Sequence, residues 1–245
     1  MANWSDPRTG AAPYVGVQSD ARDAGLRSYM LSVYNYMASG VLLTGVVALL
    51  FAKSGYVNAL FSETGQMGPL GWIVMLAPLG VVMAMSFGQN RMATSTLQLL
   101  FWVYAFLMGL SLSTIFLVYT DTSIAQTFFA TAAGFAGLSL WGYTTKKDLS
   151  GFGTFLIMGV VGIIIASLLN LFFQSEALAF VISVVGVLVF AALTAYDTQK
   201  IKGMYDYVAG TDMQGKVAIM GALNLYLDFI NMFLFLLRLF GSSRN

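Results

Sequence analysis

The chain has 245 residues, 58% of them hydrophobic and only 9% charged, with a formal net charge of +1 and a mean hydropathy of +0.77. A water-soluble domain cannot present so much apolar surface without aggregating, and a charge balance this even offers no footprint for nucleic acid, so the composition is that of a polytopic membrane protein. Cysteine and histidine are both absent, which excludes disulfides, thiolate nucleophiles, Ser-His-Asp triads, zinc sites of the usual N/S kind and haem held by histidine.

Residues 1–28, MANWSDPRTGAAPYVGVQSDARDAGLRS, mix Pro, Gly, Ser and charge without an apolar period. They read as a mobile cytoplasmic tail, and not as a cleavable signal, because the first apolar run starts too late and is long enough to span. Requiring roughly 17–25 mostly apolar residues per span, the remainder divides into seven helices. They fall at about 31–52, 70–90, 97–119, 124–143, 153–173, 178–196 and 217–240. The connections are short, tightest around Asp121 and Glu176, so successive helices run antiparallel in one all-α bundle over 29–241. Trp72, Trp102, Trp141 and Tyr143 fall near span ends, where interfacial aromatics sit.

Lys and Arg set the orientation. Arg8, Arg22, Arg27, Arg91, Lys146, Lys147, Lys200, Lys202 and Lys216 fall on one side of the seven-span scheme, against Lys53, Arg238 and Arg244 on the other. The positive-inside rule places the N-terminus in the cytoplasm and, with an odd number of spans, the C-terminus outside.

Two acids then stand out. Asp228 lies half-way along the last span, in ALNLYLDFINMFLFLLRLF, where a carboxylate costs about 2.5–3.5 kcal/mol on insertion scales. Asp197, in VLVFAALTAYDTQKIK, closes the sixth span ahead of a basic loop. Helical spacing puts Asn224, Asp228, Asn231, Phe235 and Arg238 on one stripe. Thr194 and Asp197 are neighbours at i, i+3, and Ser167, Asn170 and Gln174 make a third polar stripe on span five. These stripes are expected to point inward. For the Asn, Thr and Ser side chains the plain reading is interhelical hydrogen bonding, worth about 0.6 kcal/mol each. For an ionisable group in a membrane interior a functional site is the default.

These residues carry a resemblance. ALNLYLDFINMFLFLLRLFG in the last span, AYDTQKIK at the end of the sixth and KKDLS after the fourth are similar to the Bax inhibitor-1 family of seven-span membrane proteins, in its bacterial-type form. The similarity runs from about residue 29 to 241. It implies a bundle with the last helix central, surrounded by the other six, and a pH-sensitive calcium leak with no cofactor and calcium as the permeant ion. It further implies that Asp197 and Asp228 form a proton-sensing pair and that Arg91, in FGQNRMATST, latches onto them. A bacterial cytoplasmic (inner) membrane is the location it favours.

Elementary electrostatics makes that assignment sensible. Two carboxylates in one desolvated site cannot both ionise cheaply, so such a pair titrates as a unit near neutral pH. An ionised pair can be bridged by Arg91, and protonation removes the attraction. The other reading of Arg91 is a span-end anchor that snorkels to lipid phosphates. Calcium takes six to eight oxygens, of which Asp197, Asp228, Asn224 and Asn231 supply some, with Thr194 close by on the ion pathway. This suits transient calcium passage better than storage.

Two other classes compete. An intramembrane aspartyl protease also uses two aspartates, and Tyr196–Asp197 fits its first motif, but no GxGD surrounds the second acid and no proline follows Pro78, so no enzyme is expected. The alternative is a membrane regulator acting through a protein partner, for instance a modulator of a quality-control protease or of stress and cell-death responses, with residues 1–28 as the handle.

Overall fold

The computed structural model describes residues 14–244, with side chains from residue 20 onward. Seven helices are long and apolar enough to cross a membrane. The chain runs through α1 (Tyr14–Lys53), α2 (Pro69–Gly88), α3 (Thr94–Leu112), α4 (Ile115–Val118), α5 (Asp121–Thr144), α6 (Gly153–Phe173), α7 (Glu176–Val208) and α8 (Met213–Phe240). The expected seven-helix bundle is present, and α3 with α4 supplies the third span.

The ends of these helices follow from local chemistry. Pro69 opens α2 at the first helical position, where its missing N–H is no loss. Thr120 and Ser175 cap α5 and α7 by accepting from the N–H of Ser123 and Leu178 at 3.3 Å each. These are the two tight turns expected from the sequence. Between α6 and α7 the Asn170 side chain accepts from Ser175 N at 3.0 Å, and Gln174 adopts the left-handed region at φ 49° to make the reversal. The third span breaks at Ser113 and Thr114, whose hydroxyls donate to Leu110 O and Ser111 O at 2.6 and 3.1 Å. Such back-bonding competes with the helical ladder.

Two spans are longer than the hydropathy pattern suggests. α1 has 40 residues and α7 has 33, where a hydrocarbon core needs about 20. Residues 14–28, assigned to the tail from sequence, are therefore turns of α1; residues 1–13 of that tail lie outside the described residues. The sequence GMYDYVAGTDMQGK, which lies between the expected sixth and seventh spans, is mostly helix, leaving only a short turn with Gly210 at φ +73°. Contacts that a hydropathy window does not see hold these extensions. Leu26, Tyr29, Ile201 and Tyr205 are all buried, and the Tyr29 and Tyr205 rings pack 5.4 Å apart. Outside them Arg22 donates to both carboxylate oxygens of Asp206 at 2.9 and 2.7 Å.

α8 is the centre of the bundle. Of its most apolar stretch 61% is buried, against 33% or less for every other span. It packs against α1, α3, α5 and α7. The surround is thus four helices rather than six: α2 is held chiefly by α3, and α6 by α7. Close crossings tie the inner helices, for a Cβ on Gly142 of α5 would lie 2.4 Å from Ala195 O of α7. At the far end Thr120 N donates to Ser242 O and Arg244 N to Val118 O, at 3.0 and 2.8 Å, so the chain end is clipped onto the turn before α5.

Candidate functional site

The last helix carries its polar stripe on its least covered face. Leu225, Tyr226, Phe229, Ile230 and Phe233 are buried against the inner helices, whereas Asn224, Asn231 and Phe235 are only partly buried. That face lines a cavity of about 660 Å³ walled by α6, α7 and α8, with Leu79 the single contribution from α2. The inward-pointing stripe expected from sequence therefore faces a space bounded by the two peripheral spans.

Asp197 and Asp228 share this cavity with Asn224, Asn231 and Ser167. Asp228 is 4% exposed, and its Oδ2 has no hydrogen-bond partner. Asp197 is half-buried and lies well inside α7 rather than at its end, because the helix runs on to Val208. Asn231 donates one N–H to Leu227 O at 2.8 Å, and its side chain also lines the cavity with a carbonyl that can accept and a second N–H that can donate. Leu79, Phe190, Leu193 and Leu227 supply much of the apolar wall.

The other residues singled out from sequence are placed differently. Thr194 is fully buried, and its hydroxyl donates to Phe190 O at 2.8 Å. It does not line the cavity. Arg91 is exposed in the turn between α2 and α3. Among the described residues the ion pairs join Arg22 to Asp23 and Asp206, and Lys53 and Arg244 to Asp121; Arg91 is in none of them. No group of three or more acidic residues that could hold a metal occurs among the described residues.

A second cavity, of about 420 Å³, adjoins the first and shares Ser167, Leu171, Asn231 and Phe235 with it. It continues past Asn170 to Arg238. A polar track so leads from the acids along α8 toward its C-terminal end. Phe235 stands where the two meet, stacked on Phe190 at 5.9 Å and seated where a Cβ on Gly186 would meet it at 2.6 Å.

Sequence reasoning missed two hydrogen-bonded groups beside the acids. Tyr34 OH, Ser139 Oγ and Thr198 Oγ1 form a chain at 2.6 and 2.9 Å that joins α1, α5 and α7. The loop KKDLS is clamped to α7, with Leu149 N donating to Gln199 Oε1 and Gln199 Nε2 to Lys147 O, each at 2.8 Å. In that loop the Ser150 hydroxyl and N–H both donate to Asp148 and hold its carboxyl below the usual range. The motif pair KKDLS and AYDTQKIK was the one signal that could have placed these segments together.

A seven-helix integral membrane protein whose central helix carries a buried carboxylate is the class these features define. The chain belongs to the Bax inhibitor-1 family: the family described as inhibitor of apoptosis-promoting Bax1 matches residues 26–245. It is 48% identical to the inner membrane protein YbhL of Escherichia coli (strain K12) over 90% of this chain and 94% of that protein. It is 51% identical to the protein RP147 of Rickettsia prowazekii, over 91% and 93% of the two chains. A Caulobacter vibrioides relative is 45% identical over 91% of each.

Proposed function

We propose that this protein is a pH-sensitive calcium leak of a bacterial inner membrane, not an enzyme, with the N-terminus in the cytoplasm and the C-terminus outside. The observation that carries this reading is the unpartnered Asp228 carboxylate on a cavity shared with Asp197. A membrane-buried acid with no structural partner is costly and is kept for what it binds. Two carboxylates, two amide carbonyls and the Ser167 hydroxyl face one space. With each carboxylate binding through one oxygen they supply about five of the six to eight oxygens calcium takes, and water completes the shell, which favours passage over retention. The adjoining cavity toward Arg238 gives the ion a continuation along α8.

The pair sets the pH response, since carboxylates that share a site gain and lose protons as a unit. In the ionised state Arg91 swings in from its turn and bridges the two acids with its planar fork. Protonation releases it and the leak opens. Calcium flux from purified protein in liposomes, across about pH 5.5 to 8, is the test: flux rises as pH falls. A flat profile refutes the pH-sensing pair. No flux at any pH refutes the leak and favours the reading as a regulator that acts through a protein partner.

A further inference from the structure

The aspartate cavity opens toward lipid. Its outer wall is formed by Leu79 of α2 and by Ile164, Leu168 and Leu171 of α6. These side chains are between 53% and 70% exposed, at depths where the surroundings are hydrocarbon. α2 and α6 make no more than marginal contact with each other, α2 being held chiefly by α3 and α6 by α7. The seam between them is therefore unsealed by helix packing.

We infer that this cavity is a binding site for a lipophilic amine, a protonated primary or secondary ammonium on an apolar body, that reaches it sideways from the bilayer. The polar atoms inside are those an ammonium needs. Asp228 Oδ2 is buried and unpartnered, and Asn231, one of whose two N–H groups is held by Leu227 O, brings a side-chain carbonyl to the same space. No Lys or Arg lines the space. Lys200, the nearest cation along α7, sits 5.9 Å over the Tyr196 ring outside it. Carboxylates that share a proton carry one net negative charge, which matches one ammonium.

The rest of the wall fits the rest of such a molecule. Val160, Ile163, Phe190, Leu193 and Leu227 are apolar, and about 660 Å³ lies within the range of small-molecule sites, which pair apolar walls with a few placed polar groups. A hydrated divalent ion does not dissolve in hydrocarbon, whereas a lipophilic amine partitions there and meets the seam directly. The ammonium of a lipid headgroup is held at the interface. Asp228 lies on the order of 18 Å along α8 from Phe240, counting 1.5 Å per residue, so a free amine is the occupant that reaches it. Amine binding at this site does not depend on calcium passage.

The test is equilibrium binding of radiolabelled dodecylamine to the full chain in phosphatidylcholine nanodiscs without calcium, with empty discs subtracted. A saturable site is expected. Dodecanol, which has the chain without the charge, and dodecyltrimethylammonium, which has the charge without N–H donors, should each compete at least about tenfold more weakly than dodecylamine itself. Asp228→Asn should weaken binding by about tenfold or more. Asn231→Leu should weaken it to a lesser degree and carries the test if the Asp228 variant does not fold. Equal competition by dodecanol, or unchanged affinity in a folded variant, overturns the site. Because calcium is absent, failure of the leak reading and failure of this one are told apart.

Discussion

Replacing Asp228 by Leu should make the protein more stable and abolish its pH response. The carboxylate is 4% exposed and its Oδ2 accepts no hydrogen bond, so the substitution breaks no hydrogen bond at that atom and removes a buried group left unpaired. That condition costs about 1–3 kcal/mol. Leu is close in length, and its extra bulk projects into a cavity of about 660 Å³ rather than into packed backbone, so the overpacking penalty is absent. For a chain of this size a gain of that order raises Tm by roughly 2–12 °C. Asp228→Asn should gain less, because its NH₂ brings donors that need acceptors of their own. With no cysteine for thiol probes and four tryptophans, the melt is followed by intrinsic tryptophan fluorescence in detergent. The trade of stability for a functional acid is a familiar one. A Tm that falls in Asp228→Leu would refute the reasoning, since the carboxylate would then be bonded to a partner and act as interhelical glue.

Fusions and further substitutions have equally definite expected outcomes. Reporter fusions after Asn245 should appear outside and fusions before Trp4 inside; a single compartment for both ends would refute the odd number of crossings. Asp197→Asn and Asp228→Asn should each flatten the pH dependence of calcium flux in liposomes, while Asn231→Ala only lowers its size. Arg91→Ala should leak near pH 8 with Arg91→Lys intermediate, and combining Arg91→Ala with Asp228→Asn should be strongly non-additive, whereas a lipid anchor predicts simple addition. Gly142→Val, whose Cβ would stand 2.4 Å from Ala195 O, should destabilise the α5–α7 crossing by about 1–3 kcal/mol. Gly162→Ala, with open space around it, should leave the melt unchanged or raised by up to about 1 kcal/mol of stability.

The seven spans and the anomaly of Asp228 were legible in the residues themselves, and the reason is that insertion is local. Each side chain adds its own transfer free energy to the segment that carries it, so a window over the chain finds the spans without knowing what packs on what. The helical period by itself likewise places Asn224, Asp228 and Asn231 on one face. What that face meets is another matter. A lipid-facing surface is as apolar as a protein interior, so no stripe marks α8 as central or α2 and α6 as peripheral, and the central place of the last helix was expected from the family resemblance alone. Only the tertiary structure brings Asp197 of α7 and Asp228 of α8 to one cavity, carries α1 and α7 past the hydrocarbon through Tyr29, Tyr205 and the Arg22–Asp206 pair, spends the Thr194 hydroxyl on its own helix, and leaves the acids facing the seam between α2 and α6. Those placements depend on contacts between residues far apart in the chain, and a local sum of transfer energies contains none of them.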